Sequence, residues 1–170
     1  MFGVGSQSAQ WLIVGEAPGE QEDREGEPFV GAAGQMLDRM LHALQLTRAS
    51  DGPQGDAQRV YITNTLKCRP PANRNPGAEE LALCQPFLDR QITLLKPRLV
   101  LAMGRFAVQA LLGSELAIGK LRGRVHRLDR FGGLPAIVTY HPSYLLRSPL
   151  EKAKAWEDLC LAAQTFEAAA

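Results

Sequence analysis

Four short apolar runs, Trp11–Val14, Val60–Thr63, Leu99–Met103 and Ala136–Thr139, constrain this chain more than any other feature. Each is bounded by Gly, Pro, Asn or charged residues and carries β-branched side chains, the pattern of strands buried on both faces. Helical patterns lie between them. Leu37, Met40, Leu41 and Leu44 share one helix face. Leu81, Cys84, Leu88, Ile92 and Leu95 share another before Lys96-Pro97 ends that helix. A shorter helix is expected from about Arg105 to Leu112, closed by Gly113. The last helix is expected to open at Ser148-Pro149-Leu150-Glu151, with Ser148 as cap and Glu151 completing a capping box. Its expected buried face is Ala153, Trp156, Cys160 and Ala163. Arg48–Arg59 reads as a polar loop. Strands alternating with helices require crossover connections. The expected fold is therefore α/β, a three-layer α/β/α sandwich around a four-stranded, mostly parallel sheet. With 170 residues, 45% of them hydrophobic, the chain suffices for a single domain over 1–170.

Parallel α/β sheets bind ligands at the carboxyl ends of their strands, and the unusual residues fall there. Gly15-Glu16-Ala17-Pro18-Gly19 follows the first run, a turn that lets a ligand approach the backbone closely. It is neither a GxGxxG fingerprint nor a P-loop, since no Gly-Lys-Ser/Thr follows. The Glu16 carboxylate could orient a water or stabilise a developing positive charge; an ordinary turn with a solvated Glu is the competing reading. Asn64 follows the second run, with the acceptor and donor that match the Watson–Crick edge of a base. A loop-capping Asn competes with that reading. His141, held extended by Pro142, follows the fourth run and could face a pocket, although a lone His is often structural. Ser143 lacks a nucleophile elbow around it. Three strand ends thus bring a carboxylate, an amide and an imidazole to one rim.

With those motifs in order, the chain resembles the uracil-DNA glycosylases of family 4, the thermophile-type, iron–sulfur group. The matching stretches are GEAPGEQEDREGEPFVGAAGQMLD (15–38), YITNTLKCRPPANRNP (61–76) and TYHPSYLLRSP (139–149), and the likeness covers nearly the whole chain. The resemblance implies a base-excision DNA-repair hydrolase that flips uracil out of DNA and cleaves its N-glycosidic bond, leaving an abasic site. It implies that Phe29 stacks on the flipped base, Asn64 pairs with its edge, and backbone amides around Gly15 and Ala17 help to hold it. Glu16 would position water or stabilise the sugar cation, and His141 would hydrogen-bond the uracil oxygen as charge builds there. Glu22 would sit beside C5 and exclude a methyl group. Leu145 and Leu146 would fill the vacated stack, while Asn73, Arg147, Arg122 and Arg124 would meet DNA. The expected reaction is monofunctional hydrolysis, with no lysine serving as a Schiff-base nucleophile.

The family also implies a [4Fe–4S] cluster on four cysteines, a CxxC before the first strand and a later pair. Cys68 and Cys84, with fifteen residues between them, match the later pair; Cys160 matches nothing, and the CxxC is not in the sequence. Two thiolates do not make a four-cysteine site, so the cluster is expected to be absent from this chain. One explanation is a missing N-terminal segment, with Cys68 and Cys84 close together and the first residues poorly ordered. The other is a member that works without iron, in which Cys84 is a buried helix cysteine.

Net charge is only +1, yet it is polarised. Six acids and Arg24 fall between Glu16 and Glu27, and five bases and Asp129 between Lys120 and Arg130. The second stretch suits either a basic face toward nucleic acid or a solvated hairpin. No apolar run approaches the ~20 residues of a membrane span, and the first residues lack a signal-peptide pattern. Three cysteines are too few for a disulfide framework. These features point to a cytoplasmic protein, and the resemblance implies a monomer whose partner is uracil-containing DNA. The alternatives are a non-catalytic DNA-binding or polymerase-associated relative with the same fold, and an unrelated α/β nucleotide or phosphate binder using the 15–19 turn.

Overall fold

A computed structural model describes residues 1–168. In chain order its elements are β1 (Val4–Gly5), β2 (Trp11–Gly15), α1 (Glu20–Glu25), α2 (Ala32–Ala43), β3 (Val60–Asn64), α3 (Ala78–Leu95) and β4 (Leu99–Met103). Then follow α4 (Arg105–Leu112), α5 (Ile118–Leu121), β5 (Val125–Leu128), β6 (Leu134–Thr139), α6 (Pro142–Arg147) and α7 (Lys152–Ala168). The strands form one sheet in the order β1-β3-β2-β4-β6-β5. Its four middle strands are parallel, as their continuous apolar character requires.

The sheet is wider than the expected four strands. Two short antiparallel strands close its edges, β1 against β3 and β5 against β6. Neither carries an apolar run: β1 has two residues, and β5 is the hairpin arm of the basic stretch, Val-His-Arg-Leu. Short and charged edges of this kind blunt edge-to-edge pairing. The first residues depart from the expectation of poor order. Val4 pairs with Ile62, Gly5 pairs with Tyr61, and the Met1 amino group donates to the Lys67 carbonyl at 2.6 Å.

Apolar clusters fill both sides of the sheet. On one side Ile13, Ile62, Leu101 and Ile137 pack with Leu37, Met40 and Leu41 of α2 and with Leu159 and Phe166 of α7. On the other, Leu12, Val14, Val100 and Val138 pack with Leu88 and Ile92 of α3 and Val108 and Leu111 of α4. The face expected for the last helix is displaced. Its buried residues are Ala155, Asp158, Leu159, Ala162 and Phe166, while Trp156 is 45% exposed. The displacement follows from the entry: Pro149–Glu151 form a separate 3₁₀ turn without a Ser148 side-chain cap, and the α-helix starts at Lys152. Among the described residues, no helix is long and apolar enough to cross a membrane.

The parallel register brings the carboxyl ends of β2 and β3 level, with Gly15 opposite Asn64. The β6 end, Thr139, lies opposite Met103 at the end of β4. All four therefore deliver their following loops to one rim.

Candidate active site

The turn after β2 is set by what Gly15 leaves open. A Cβ there would lie 2.4 Å from the Asn64 Oδ1 and 2.5 Å from the Phe29 ring. Glycine is what allows the amide and the ring to converge. Glu16, next along, is half-buried, and its Oε1 accepts the Phe106 N–H at 3.1 Å at the start of α4. Gly104, at φ +95°, makes room for that carboxylate, since a Cβ would fall 2.6 Å from it. Burial pushes the Glu16 pKa up, against the opposing pull of the Phe106 and Arg105 amides and the charges of Arg105 and Arg147. Its amide-fixed carboxylate faces a cavity.

Phe29 occupies the left-handed region at φ 57°, a conformation a bulky residue adopts only under constraint. Three contacts impose it. The Arg48 guanidinium donates to the carbonyls of Pro28 and Phe29 at 3.2 and 3.1 Å. Gly34 lets α2 pass directly beneath, as a Cβ there would collide with the Phe29 carbonyl. Glu22 ties this loop to the first one: Oε1 accepts from Val30 and Gly31, and Oε2 accepts from Gly19. The Phe29 ring stacks against the His141 ring, centroids 5.3 Å apart.

Asn64 ends β3, only 4% exposed, with its Oδ1 buried and without a hydrogen-bond partner. Such an orphan acceptor costs roughly 1–3 kcal/mol unless something fills it. Behind it, Lys67 is buried and donates to the Asn64 carbonyl, the Thr63 hydroxyl and the Gln91 side chain. Burial pulls its pKa down to about 8. Lys67 stands inside the second motif, where the sequence reading left it out of account. Its amine is spent on the backbone of Asn64, and the residue does not line the cavity.

His141 presents the third group. Its Nδ1 accepts the Ser143 N–H at 3.2 Å and lies 2.8 Å from the Ser143 hydroxyl. An accepting Nδ1 places the ring proton on Nε2, which is then a neutral donor. Burial, reinforced by Arg147, lowers the His141 pKa to about 4. Ser143 thus serves the imidazole's tautomer.

Glu16, Ala17, Glu22, Phe29, Asn64 and His141 all line one cavity of about 380 Å³. The model of the uracil DNA glycosylase superfamily matches residues 2–160 of this chain. Its relatives include a type-4 uracil-DNA glycosylase of Archaeoglobus fulgidus, 41% identical over 152 residues, 86% of this chain and 72% of that protein. The chain belongs to the type-4 uracil-DNA glycosylases. A type-4 enzyme of Pyrobaculum aerophilum is 41% identical over 94% of this chain and 79% of its own length. One of Thermotoga maritima is 42% identical over 87% and 72%.

Several expectations of the glycosylase reading change in three dimensions. Leu145 is fully buried in the core and cannot enter a base stack; its neighbour Leu146 is 44% exposed. Helical periodicity separates the two, one facing in and one out. Arg122 is not a free cation. Its guanidinium pairs with Asp158 at 3.0 Å and Glu157 at 2.9 Å, and Asp158 is wholly buried. Asp158 also accepts the Gly123 N–H, so this ion pair fastens the basic hairpin to α7. Breaking a buried pair from one side leaves a lone charge. Arg122→Ala should therefore cost about 3 kcal/mol in urea unfolding, whereas the exposed Arg124→Ala should stay within about 0.5 kcal/mol. Asn73 is exposed at the cavity mouth, its side-chain oxygen accepting from Arg69 at 2.7 Å.

The iron–sulfur expectation meets the residues present. Cys68 is exposed and Cys84 half-buried on α3. Among the described residues, no three His, Cys, Asp or Glu side chains converge closely enough to hold a metal. The thiols here do not fit a four-ligand cluster. Sequence reasoning missed Arg48, which holds the Phe29 loop, and Arg105, whose charge stands beside Glu16. Arg48 sits in a loop with no local pattern, and only tertiary contact reveals what it holds.

Proposed function

We infer that this protein hydrolyses the N-glycosidic bond of uracil in DNA and leaves an abasic site. The observation that carries the reading is Asn64, which lines the cavity with Phe29 and His141 and whose Oδ1 is buried without a hydrogen-bond partner. Uracil presents an N3–H donor to such an acceptor. Cytosine presents a lone pair at the same position, so the acceptor would stay unpaired and selectivity follows. A base must leave the duplex to reach the cavity, at a cost of a few kcal/mol. Stacking on Phe29 and pairing with Asn64 offset that cost. Glu22, pinned by three backbone amides, is a rigid wall suited to excluding a methyl group at C5.

Bond cleavage leaves a cationic sugar and an anionic uracil. The Nε2–H of neutral His141 stabilises the anion without the reorganisation that solvent would need. The Glu16 carboxylate, fixed by the Phe106 amide, stabilises the cation or orients the attacking water. Lys67 takes no part as a nucleophile, which favours hydrolysis without strand cleavage. A non-catalytic relative would have no use for a carboxylate and an imidazole aimed at one bond.

The test is incubation with a uracil-containing oligonucleotide, alkali treatment and a gel. Strand breakage only after alkali is expected; intact DNA at high enzyme and low salt would refute the reading. Asn64→Ala should lower uracil excision by ~10-fold or more while still unfolding in one cooperative transition, as loss of a 1–3 kcal/mol buried hydrogen bond to the base implies. Wild-type rates in that variant would remove Asn64 from base reading.

A further inference from the structure

A second cavity, of about 610 Å³, adjoins the first, and Glu16 and His141 line both. If the base occupies the first, the bond to the sugar lies at this seam, and the nucleic-acid backbone must continue into the second. Two arginines border it: Arg105 at the start of α4 and Arg147 at the end of α6. Both are exposed, and among the described residues neither has a carboxylate or side-chain hydrogen-bond partner. Arg24, Arg39, Arg90 and Arg124 are likewise exposed and unpaired among the described residues, but none of them lines either cavity. The Arg105 guanidinium lies over the Phe106 ring, 4.5 Å from its centroid, which limits where it can point.

Two unpaired cations beside Glu16 pose an electrostatic problem. Their field opposes the positive charge that must develop on the sugar. An anion between them would cancel that opposition and turn a liability into a grip. Phosphate is the anion that a nucleotide brings to this place, and guanidinium is the side chain that matches it best.

We propose that the second cavity is a backbone subsite in which Arg105, together with Arg147, holds a phosphate flanking the extruded nucleotide. The proposal rests on the uracil-excision reading for the identity of the base. It goes beyond that reading in assigning Arg105 and a specific phosphate. Neutralising that phosphate in the substrate should weaken binding and slow excision in the wild type. The same neutralisation should matter little once Arg105 is gone.

The experiment uses uracil oligonucleotides carrying one methylphosphonate immediately 5′ or 3′ of the deoxyuridine. Binding by anisotropy and single-turnover excision are measured for wild type, Arg105→Ala and Arg105→Lys. One of the two methylphosphonates should weaken wild-type binding ~10-fold and change Arg105→Ala binding less than ~2-fold, with Arg105→Lys between. The subsite is overturned if neither methylphosphonate affects wild-type binding, or if both weaken wild type and Arg105→Ala equally. Coupling in binding with no excision of any substrate would overturn the excision reading alone and leave the subsite standing.

Discussion

Replacing His141 by Leu should lower the single-turnover rate of uracil release by ~10²–10³-fold, the usual cost of removing one preorganised donor to a developing anion. The donor is preorganised in two ways. Ser143 holds Nδ1 as an acceptor, so Nε2 carries the proton. Burial holds the ring neutral, with a pKa of about 4, so it donates as imidazole from about pH 5 upward. Wild-type activity should therefore show no loss from His141 protonation between pH 5 and 8. The same shift has a stability consequence. An unfolded-state His titrates near 6.5, so the unfolded chain binds more protons than the folded one between about 6.5 and 4. Stability should fall as pH drops through that window, and His141→Leu should flatten the fall. Urea unfolding at pH 7 and pH 4.5 reads it. A Leu variant within 3-fold of the wild-type rate would take His141 out of the chemistry.

Glu16→Gln should lower excision by ~10²-fold, in the range for a positioned carboxylate acting on water or on a cation, and should raise thermal stability at pH 7. The two effects share one cause. Glu16 is held as a partly buried charge, and its raised pKa records that the folded state disfavours ionisation. The folded chain therefore binds more protons than the unfolded one between the ordinary carboxylate pKa and the raised value, and stability falls as pH rises through that window. Gln carries no charge, and its amide oxygen can still accept the Phe106 N–H. Removing the charge should stabilise the fold while disabling the site, the trade expected of a functional group kept at a cost. Melting curves at pH 5 and pH 8 should differ less for the variant than for wild type. An unchanged rate in Glu16→Gln would limit the carboxylate to capping α4.

The apolar runs determined the four parallel strands almost to the residue, because a strand buried on both faces has little freedom in composition. The rim at their carboxyl ends was equally legible, since parallel topology sends every strand's next loop to the same side. That placed Glu16, Asn64 and His141 in one neighbourhood before any coordinate. Edge strands β1 and β5 were not legible: two residues, or four with His and Arg between Val and Leu, leave no periodic signal, and only pairing with β3 and β6 creates them. Tertiary structure also decided which member of an adjacent pair acts. Leu145 faces the core and Leu146 the solvent, although nothing in Leu-Leu distinguishes them. Arg122 and Arg124 look alike in the chain, yet a buried Asp158 thirty-six residues on claims the first as a structural ion pair. The strained Phe29 owes its conformation to Arg48 and Gly34, and the unpartnered acceptor of Asn64 owes its place beside the Phe29 ring to Gly15. Composition and periodicity record what each residue prefers on average. Orientation within a site depends on contacts between segments far apart in sequence, and those exist only once the chain has folded.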